Sequence, residues 1–547
     1  ENPTGTGDPF ASFLLGVPDN AGKRNVLETE HGGWIDGVYA QDQWKVTDRL
    51  TLNLGIRWDV TLWPIYGTPG TPDQYVGDLN LNNGSYILAA VPKPCGPTVG
   101  FPCIPCPTEA SATCSGALPP NVTVTNFGNH AVYHNKYDNW QGRLGLAYRL
   151  TDKTAIRGGY GRFYDSWNAI IQLAQNYEGA WPDVGQLLAN NLNHPGTVPA
   201  SIGDPFNLGS SGVVYPAPTP FNQVQWFIDP VAYNMPYSDQ WNIGIEQQLG
   251  QNTVLSLAYV GAHDLQLNLG GYRNTAVTPG PGDAAVVASR QPYPYITPTF
   301  YDQSIGQSKY NAFQFRLQQR ATKGLTYLIS YTRSKSMDVA CSGSFGAEGC
   351  ELQNAYNINA ERSVSGFDLP NIFSGSWVYE IPFGKGKAFS SSSKFVNYVL
   401  GNWELNGIVS FYSGVPFDVQ ISNGDQANTG NVTERANLVL PNPYPANKGP
   451  NLWLNPAAFA IPPLYTFGTL GRNSLRSDAT KNLDFSLFRR FPVTETAGFE
   501  FRAESFNLTN TPIFAQPNNT LGNPNFGVVT STSNSPRELQ FALKFIF

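Results

Sequence analysis

The last eleven residues, Arg537 to Phe547, constrain the fold more than any other stretch of this chain. Leucine and phenylalanine occupy alternate positions there, and Glu538, Gln540 and Lys544 lie between them. Side chains alternate between two faces along a β-strand, so the pattern predicts a strand with one apolar-aromatic face and one polar face. An edge strand this apolar would aggregate in water unless its sheet closed on itself. The pattern therefore favours a closed barrel whose apolar face meets lipid.

The same alternation recurs along the chain, in runs at about 50–60, 144–150, 241–249, 313–317, 373–381, 403–411 and 499–504. Including their flanks, these runs approach the roughly 9–11 residues that a tilted membrane strand requires. Their charged residues mostly share the polar positions, and a basic residue facing hydrocarbon would cost about 2–4 kcal/mol at the midplane. We therefore expect the polar face to line the lumen. The expected lumen-facing residues are Arg57, Asp59, Arg143, Arg149, Glu246, Arg316, Arg320, Glu500, Arg502, Glu504, Glu538 and Lys544.

Three arginines break this rule, Arg162, Arg333 and Arg489. Each lies near the predicted end of a strand, where the cost of a charge facing the membrane falls. The aromatic residues near the ends of the runs are typical of the girdles that mark the two membrane interfaces.

Connection lengths give a second indication of a barrel. Short polar turns are predicted at 47–49, 151–153, 250–252, 322–324 and 492–496. They alternate with long excursions at about 64–137, 166–237, 265–307, 338–366, 414–480 and 508–536. Outer-membrane barrels show this alternation, with short periplasmic turns and long extracellular loops.

The predicted fold is thus all-β, an antiparallel transmembrane β-barrel to which this chain contributes about 13–14 strands. An N-terminal segment, residues 1–33, contains one candidate strand at Phe10–Val17, and the barrel portion occupies residues 34–547. Composition agrees, because charged residues make up only 14% of the chain and 54 glycines stand against 2 methionines. Strands and turns use this mixture more readily than helices do.

The six cysteines fall into two local groups, Cys95, Cys103, Cys106 and Cys114 in the first and Cys341 and Cys350 in the second. The first group contains a C-x-x-C spacing that would suit zinc. Its surroundings are rich in proline, however, and the whole chain holds only 5 histidines. Loop disulfides in an oxidising compartment are the favoured interpretation.

Catalytic and cofactor motifs give no candidate. The chain has no G-x-S-x-G, Walker A or H-E-x-x-H sequence, and we predict neither an enzyme nor a cofactor. A net charge of −6 without a basic cluster speaks against nucleic acid as a partner.

Several stretches, in order along nearly the whole chain, resemble the Oar-like group of TonB-dependent outer-membrane receptors. They are GDPFASFLLGVP (7–18), VYAQDQWKVTDRLTLNLGIRWDV (38–60), NWQGRLGLAYRL (139–150), TAIRGGYGRFYD (154–165), NPAAFA (455–460), TFGTLGRNSLR (466–476), FEFRAESFNLTN (499–510) and PRELQFALKFIF (536–547).

This resemblance implies a barrel of 22 strands closed around an N-terminal plug, with a TonB box that couples it to the inner-membrane energy complex. The plug and the TonB box are not visible in this sequence, so the chain is expected to be the C-terminal portion of the barrel. The family's terminal aromatic strand is read by the barrel-assembly machinery, and the match falls on Phe541, Leu543, Phe545 and Phe547.

The leading hypothesis is an energised outer-membrane transporter that takes up a ligand bound by its extracellular loops and lumen. A passive porin or structural barrel is the first alternative, and a secreted all-β adhesin or binding module is the second. The sequence does not distinguish a siderophore from cobalamin, an oligosaccharide or a peptide as the ligand.

Overall fold

The protein is built around one long antiparallel β-ladder. The computed structural model describes residues 14–18, 20–24, 30–31, 34–62, 65–66, 77–88, 118–124, 135–165, 186–189, 201–204, 220–222, 226–339 and 352–547, apart from positions 385, 423, 432 and 495. The ladder strands are β1 (Trp34–Lys45), β2 (Leu50–Leu62), β3 (Lys136–Thr151), β4 (Thr154–Tyr164), β5 (Tyr237–Leu249), β6 (Thr253–Leu269), β7 (Thr299–Thr322), β8 (Leu325–Val339), β9 (Asn371–Glu380), β10 (Trp403–Tyr412), β11 (Thr480–Pro492), β12 (Gly498–Phe506) and β13 (Glu538–Ile546). Consecutive strands pair with one another from β1 to β13. The predicted antiparallel all-β class is confirmed.

The register between neighbouring strands brings the apolar positions onto one side of the ladder. Leu257 pairs with Phe315, and Phe315 pairs with Tyr331. Tyr331 pairs with Phe373, which pairs with Phe411. Directly paired residues project from the same face of a sheet, so five strands share this apolar row. We call this side of the ladder the apolar face and the other side the polar face.

Two tryptophans on the apolar face lie over glycines of the next strand. Trp241 pairs with Gly261, and Trp377 pairs with Gly407. A Cβ added at either glycine would collide with the indole ring. Glycine therefore gives each ring the room to cover the neighbouring backbone.

Short turns join the strands at one end of the ladder. At the first of them, the Val46 N–H donates to the Leu50 carbonyl at 3.0 Å, and the Thr47 hydroxyl accepts from the Leu50 N–H at 3.0 Å. The turn between β7 and β8 places Lys323 and Gly324 at φ of 52° and 80°, the left-handed region that glycine adopts without strain. The connection from β9 to β10 is longer and carries helix α2, Lys394–Leu400.

The long connections leave from the other end and fold together into what we call the cap. It comprises the described residues of 65–124, 186–236, 270–298, 352–370, 413–479 and 507–537. Its short strands are Gly77–Asn80, Ser85–Leu88, Val122–Val124, Pro416–Phe417, Gln420–Ile421, Asn437–Leu438, Phe459–Ala460, Leu475–Arg476 and Thr520–Leu521, with helix α1 at Ala284–Ser289 and 3₁₀ turns at Ile358–Glu361 and Pro456–Ala458. Further short strands are Ala21–Arg24 paired with Gln186–Ala189, Glu30–His31 paired with Ile65–Tyr66, Trp226–Ile228 and Tyr272–Arg273 on β7, and Ser363–Val364 on β8.

The dry core of the described protein lies in the cap and at the adjoining ends of β6, β7 and β8. One cluster packs Trp453, Leu454 and Phe459 with residues of 417–475 and 526–529. A second packs Tyr86 and Tyr301 with residues of 79–122 and 227–296. Apart from Ala312, no buried hydrophobic side chain of the described residues belongs to the middle of a ladder strand. The ladder of β1 to β13, which we call the wall, therefore holds its apolar side chains at its surface.

The two outermost strands, β1 and β13, run in the same direction, because twelve successive antiparallel pairings separate them. Within the described residues β1 pairs with β2 and β13 pairs with β12, and no pairing joins the two. Every residue of β1 is exposed. Among the described residues, each outer edge of the ladder is therefore unpaired.

The candidate strand at Phe10–Val17 is wrong for its described part. Residues 10–13 lie outside the described residues, and Leu14 to Gly16 form a turn. Gly16 adopts a φ of 66°, which an extended strand does not allow.

Candidate functional site

The polar face of the wall carries the charged residues selected from the sequence, several of them in ion pairs. The Arg57 Nε lies 2.7 Å from the Asp59 carboxylate. The Glu246 carboxylate accepts from Arg157 at 3.2 Å, and Arg502 lies 2.5 Å from Glu500. Most of these groups are half-exposed, so each pair stabilises the fold by about 1 kcal/mol or less. The pairs make the polar face a charged, hydrated surface.

The other selected residues share that face by register or make local contacts. The Arg143 guanidinium lies 4.9 Å from the centre of the Phe163 ring. Arg149 donates to the Asp48 carbonyl at 3.4 Å, and Arg316 donates to Gln318 at 3.1 Å. The remaining placements are Arg320 exposed near the turn after β7, Glu504 opposite Gln540, Lys544 opposite Glu500 and Glu538 opposite Phe506.

The polar face also contains an apolar patch that the sequence analysis missed. Leu328, Val378, Ile408 and Phe506 line an open cavity of about 440 Å³ together with Asp484 and other polar groups. Register explains this arrangement, since Ile408 pairs with Asp484, and the next residue, Phe485, pairs with Ser505, which precedes Phe506. Following the alternation through each strand would have shown that these four apolar residues occupy positions on the polar face.

The C-terminal strand presents its apolar side chains to the surroundings. Phe541, Leu543 and Phe545 pair with Ala503, Phe501 and Phe499 of β12. Phe541 is 70% exposed and Phe547 is 92% exposed, while the rings of Phe545 and Phe547 stack at 5.7 Å. All four residues of the predicted assembly signal are therefore accessible at the outer edge of the ladder.

Buried arginines tie the cap together and anchor it to the wall. Arg435 is 4% exposed and donates to both carboxylate oxygens of Glu361, which is 1% exposed, at 2.8 and 3.0 Å. Arg472 donates to the carboxylate of Asp338 at the end of β8 and to the Glu361 carbonyl at 3.0 Å. The cap segment that carries Arg435 and Arg472 is joined in this way to Glu361 and to the end of β8.

A third arginine extends this network to the segment before β9. Arg476 lies 2.5 Å from the Asp368 carboxylate and donates to the Gly414 carbonyl at 3.0 Å. The other Asp368 oxygen accepts from the Ser336 N–H at 2.7 Å, which links it to β8. A buried charge whose partner is removed is strongly destabilising, so loss of one of these partners is expected to destabilise the cap.

An open cavity of about 610 Å³ lies between two segments of the cap. Helix α1 and the residues that follow it form one side, including Tyr295 and Pro298, and Asp425 and Asn428 lie on the other side. Asp425 accepts from the Thr429 and Gly430 N–H groups at 2.8 and 2.7 Å. The volume lies in the range of small-molecule sites, and aromatic, amide and carboxylate groups line it.

Comparisons with known proteins decide the class of this fold. A family model described as an outer membrane beta barrel domain matches residues 1–540. This chain belongs to that family. A search of curated proteins finds no match.

The solved structures that are similar to this barrel domain carry names that refer to receptors and transporters. FpvA of Pseudomonas aeruginosa, solved with a heterologous ferric pyoverdine, is 12% identical, with 94% of this chain and 38% of FpvA covered and a TM-score of 0.41. The ferric enterobactin receptor PfeA of P. aeruginosa is 11% identical, with 94% and 45% covered and a TM-score of 0.41. The Escherichia coli outer membrane transporter YddB is 10% identical, with 94% and 63% covered and a TM-score of 0.39. The barrel domain thus spans less than two thirds of each of these proteins.

Membership of the family places the barrel domain in the outer membrane. Among the described residues no helix is long and apolar enough to cross a membrane. No group of three or more histidine, cysteine or acidic residues in that part of the chain could hold a metal ion. The cysteines at 95, 103, 106, 114, 341 and 350 lie outside the described residues, so their predicted disulfides stay predictions.

The three arginines that break the charge rule each have a local partner in the barrel domain. Both Nε and Nη2 of Arg162 donate to Asp239 at 2.8 Å, and Arg333 donates to Asn371 at 3.0 Å. Arg489 donates to the Val399 carbonyl in the last turn of α2 and lies 4.2 Å from the Phe491 ring centre. These contacts lie on the apolar face near strand ends, and within the described residues the buried Nε of Arg489 has no hydrogen-bond partner.

Several charged residues on the apolar face escaped the sequence analysis. Asp36 and Asp42 pair with Val60 and Leu54, so they share the face of those apolar residues. Lys309 pairs with Met337, and Lys335 pairs with Asn311. Extending the alternation of β7 and β8 to their cap ends would have assigned Lys309 and Lys335 to the apolar face, because the register continues to those ends.

Glu434 is a buried carboxyl group of the cap whose pKa lies near neutral pH. Burial raises its pKa to about 7, and hydrogen bonds from the Ala427 and Gln426 N–H groups, both at 2.9 Å, oppose that rise. The nearby Asp425 carboxylate raises it further. The carboxyl group therefore changes its charge near physiological pH.

Proposed function

We propose that this barrel domain is part of an energised outer-membrane receptor that takes up a ligand bound by the cap and the lumen. The apolar face contacts hydrocarbon in this proposal, and the polar face lines the lumen. The observation that carries the proposal is the cap, whose long connections pack into shared cores and are joined by the buried pairs of Arg435 and Arg472. Loops that serve only as exposed cover do not require buried ion pairs. A rigid cap with a cavity of about 610 Å³ suits selective binding.

The membership in the Oar-like group and the position as a C-terminal portion belong to the same proposal. Because β1 and β13 run in the same direction, antiparallel closure of the ladder needs an odd number of further strands between them. The predicted total of 22 strands meets this condition. A plug and a TonB box outside this chain would supply the coupling to the inner membrane.

The barrel-assembly machinery is a proposed partner through the C-terminal strand. Phe547 is 92% exposed and follows an edge strand whose outer side lacks a partner among the described residues. Such a strand offers both aromatic side chains and free backbone groups for recognition. Removal of Phe547 is expected to lower the amount of assembled protein, whereas removal of the exposed Phe395 ring of α2 is not.

Single-channel conductance and uptake together test the receptor proposal. The product of the complete gene, purified from outer membranes, is expected to show no stable open pore in a planar bilayer. Ligand uptake is expected to stop in cells that lack the energy-transducing complex, with surface binding retained. A stable open pore and uptake independent of that complex would instead establish the passive porin.

A further inference from the structure

Three cations lie together on the apolar face at the cap end of the wall. Lys309 belongs to β7, and Arg333 and Lys335 belong to β8. Lys309 pairs with Met337, the next residue on that face beyond Lys335, so Lys309 and Lys335 are diagonal neighbours. Diagonal neighbours lie roughly 7–8 Å apart. All three side chains are exposed.

The acids near these cations are already engaged. Asp239 is the carboxylate on the apolar face of β5, and Arg162 and the Tyr160 hydroxyl donate to it. Asp338 lies on the polar face and pairs with Arg472. Within the described residues neither Lys309, Arg333 nor Lys335 forms an ion pair, so the cluster carries a net charge of about +3 at neutral pH.

The height of the cluster matches the outer boundary of the hydrocarbon layer. Lys335 lies ten positions beyond Leu325, the first residue of β8, which is roughly 33 Å along the strand and about 25 Å along the barrel axis at the usual tilt. The apolar band of an outer-membrane barrel is also about 25 Å tall. On the same face Phe313 pairs with Arg333 itself, and Phe315 and Tyr331 pair with each other one step nearer the short turns. The cluster therefore lies at the level of lipid headgroups.

A small recess adjoins the cluster. It has a volume of about 30 Å³ and is lined by Lys309, His263, Met337 and Arg362, together with Asp338 and neighbouring residues. Arg362 comes from the cap and is exposed. The recess has room for one small polar group, and it adds a fourth cation beside Lys309.

We propose that Lys309, Arg333 and Lys335 form a binding site for the phosphate groups of a membrane lipid on the outer wall of the barrel. A guanidinium binds phosphate oxygens through paired hydrogen bonds, and ammonium groups add charge. Basic residues near a membrane surface each strengthen the attraction to anionic lipid. The acyl chains of such a lipid would lie along the aromatic surface formed by Phe313, Phe315 and Tyr331. This inference rests on the proposed orientation of the apolar face toward lipid.

Native mass spectrometry of the full chain tests the proposal. The protein is exchanged into detergent that contains phosphatidic acid or phosphatidylcholine, and the retained lipid is counted. We expect phosphatidic acid to be retained on the wild-type chain and at least tenfold less on a variant with Lys309→Gln, Arg333→Gln and Lys335→Gln. Phosphatidylcholine, whose headgroup has no net charge, is expected to bind weakly to both.

A matched control carries Lys153→Gln, Lys323→Gln and Lys394→Gln, which removes three exposed charges at the short-turn end. Its retention of phosphatidic acid is expected to equal that of the wild type. Equal retention by the cluster variant, or equal loss in the control, would overturn the proposal. Displacement of phosphatidic acid by millimolar inorganic phosphate would also overturn it, because the site would then bind free phosphate.

Two further measurements keep the result interpretable. If the triple variant does not fold, Lys309→Gln and Lys335→Gln are measured singly, with about a threefold loss expected for each and an unchanged value contradicting the site. A bimane label at Leu317→Cys, quenched by brominated lipid, reports the orientation of the apolar face independently. Absence of quenching would contradict the orientation itself, whereas quenching with unchanged lipid retention would contradict only the phosphate site.

Discussion

The wall and the cap place their apolar and charged side chains in opposite ways. Leu543 of the wall is 67% exposed, whereas Leu454 of the cap is 0% exposed. Charges show the reverse relation, because Arg435 and Arg472 are buried in the cap while most of the wall's charges are half-exposed. A wall between two solvents needs only alternation and register, but a cap in water needs a dry core and paired buried charges. Mean hydropathy averages the two regions and conceals this difference.

The largest expected effect comes from removing a buried charge in the cap. Arg435→Met leaves Glu361 buried without its partner and is expected to destabilise the cap by about 3–5 kcal/mol. Hydrogen exchange of residues 353–361 and 434–436 measures this loss. Arg316→Met, which changes an exposed arginine of the wall, is the control and is expected to leave cap exchange unchanged. Unchanged exchange in Arg435→Met would show that the pair does not hold the cap.

A leucine truncation in each region separates the two kinds of apolar surface. Leu454→Ala opens a cavity in the cap core and is expected to cost about 2–5 kcal/mol of cap stability. Leu543→Ala removes atoms that face outward, so the cap should keep its wild-type resistance to protease. Protease resistance of both variants in lipid provides the measurement. Similar losses from the two substitutions would remove the distinction between the regions.

A smaller effect is expected where the wall does pack closely. Gly407→Val would force the Trp377 ring away from β10, at a cost of about 1–3 kcal/mol. Gly142→Val is the control, since a Cβ at Gly142 meets no atom within 4 Å. Thermal unfolding in detergent, followed by electrophoretic mobility, compares the two. Equal midpoints would indicate that the indole ring moves without cost.

The last prediction concerns pH and is confined to the cap. The pKa of Glu434 is raised to about 7 in the folded cap, so its contribution to stability is fully present below the unfolded pKa of about 4.3 and is lost as pH rises through the folded value. Raising the pH from 5 to 8 should therefore weaken the segment around Glu434 by on the order of 1–3 kcal/mol. Hydrogen exchange of residues 425–436 at the two pH values tests this, after correction for the intrinsic pH dependence of exchange. Glu434→Gln should abolish the difference, and a difference that persists in that variant would have another source.

The sequence predicted the wall better than the cap. Alternation in runs such as 403–411 fixes which side chains share a face, and short polar turns such as 322–324 fix which strands are neighbours. These are local properties, so they can be read without knowing the rest of the fold. Asp36 and Asp42 were missed because they interrupt the alternation of β1 at an outer edge.

The cap could not be predicted from local pattern. Arg435 and Glu361 are 74 positions apart, and Arg472 and Asp338 are 134 positions apart. Nothing in the residues next to these arginines indicates which carboxylate each one meets. Their pairing depends on the packing of several long connections at once, which leaves no period in the sequence.

The central claim is that alternate side chains of the wall belong to two different environments, and β10 provides the most direct test. Single cysteines placed at each position from Trp403 to Tyr412, on a background without the native cysteines that is first shown to fold, are spin-labelled in lipid bilayers. Collision rates with oxygen, which concentrates in hydrocarbon, and with a water-soluble nickel complex are then measured. The account predicts a period of two, with Leu405, Val409 and Phe411 accessible to oxygen and Glu404, Asn406 and Ser410 accessible to nickel. Equal accessibility at neighbouring positions, or the opposite phase, would contradict it.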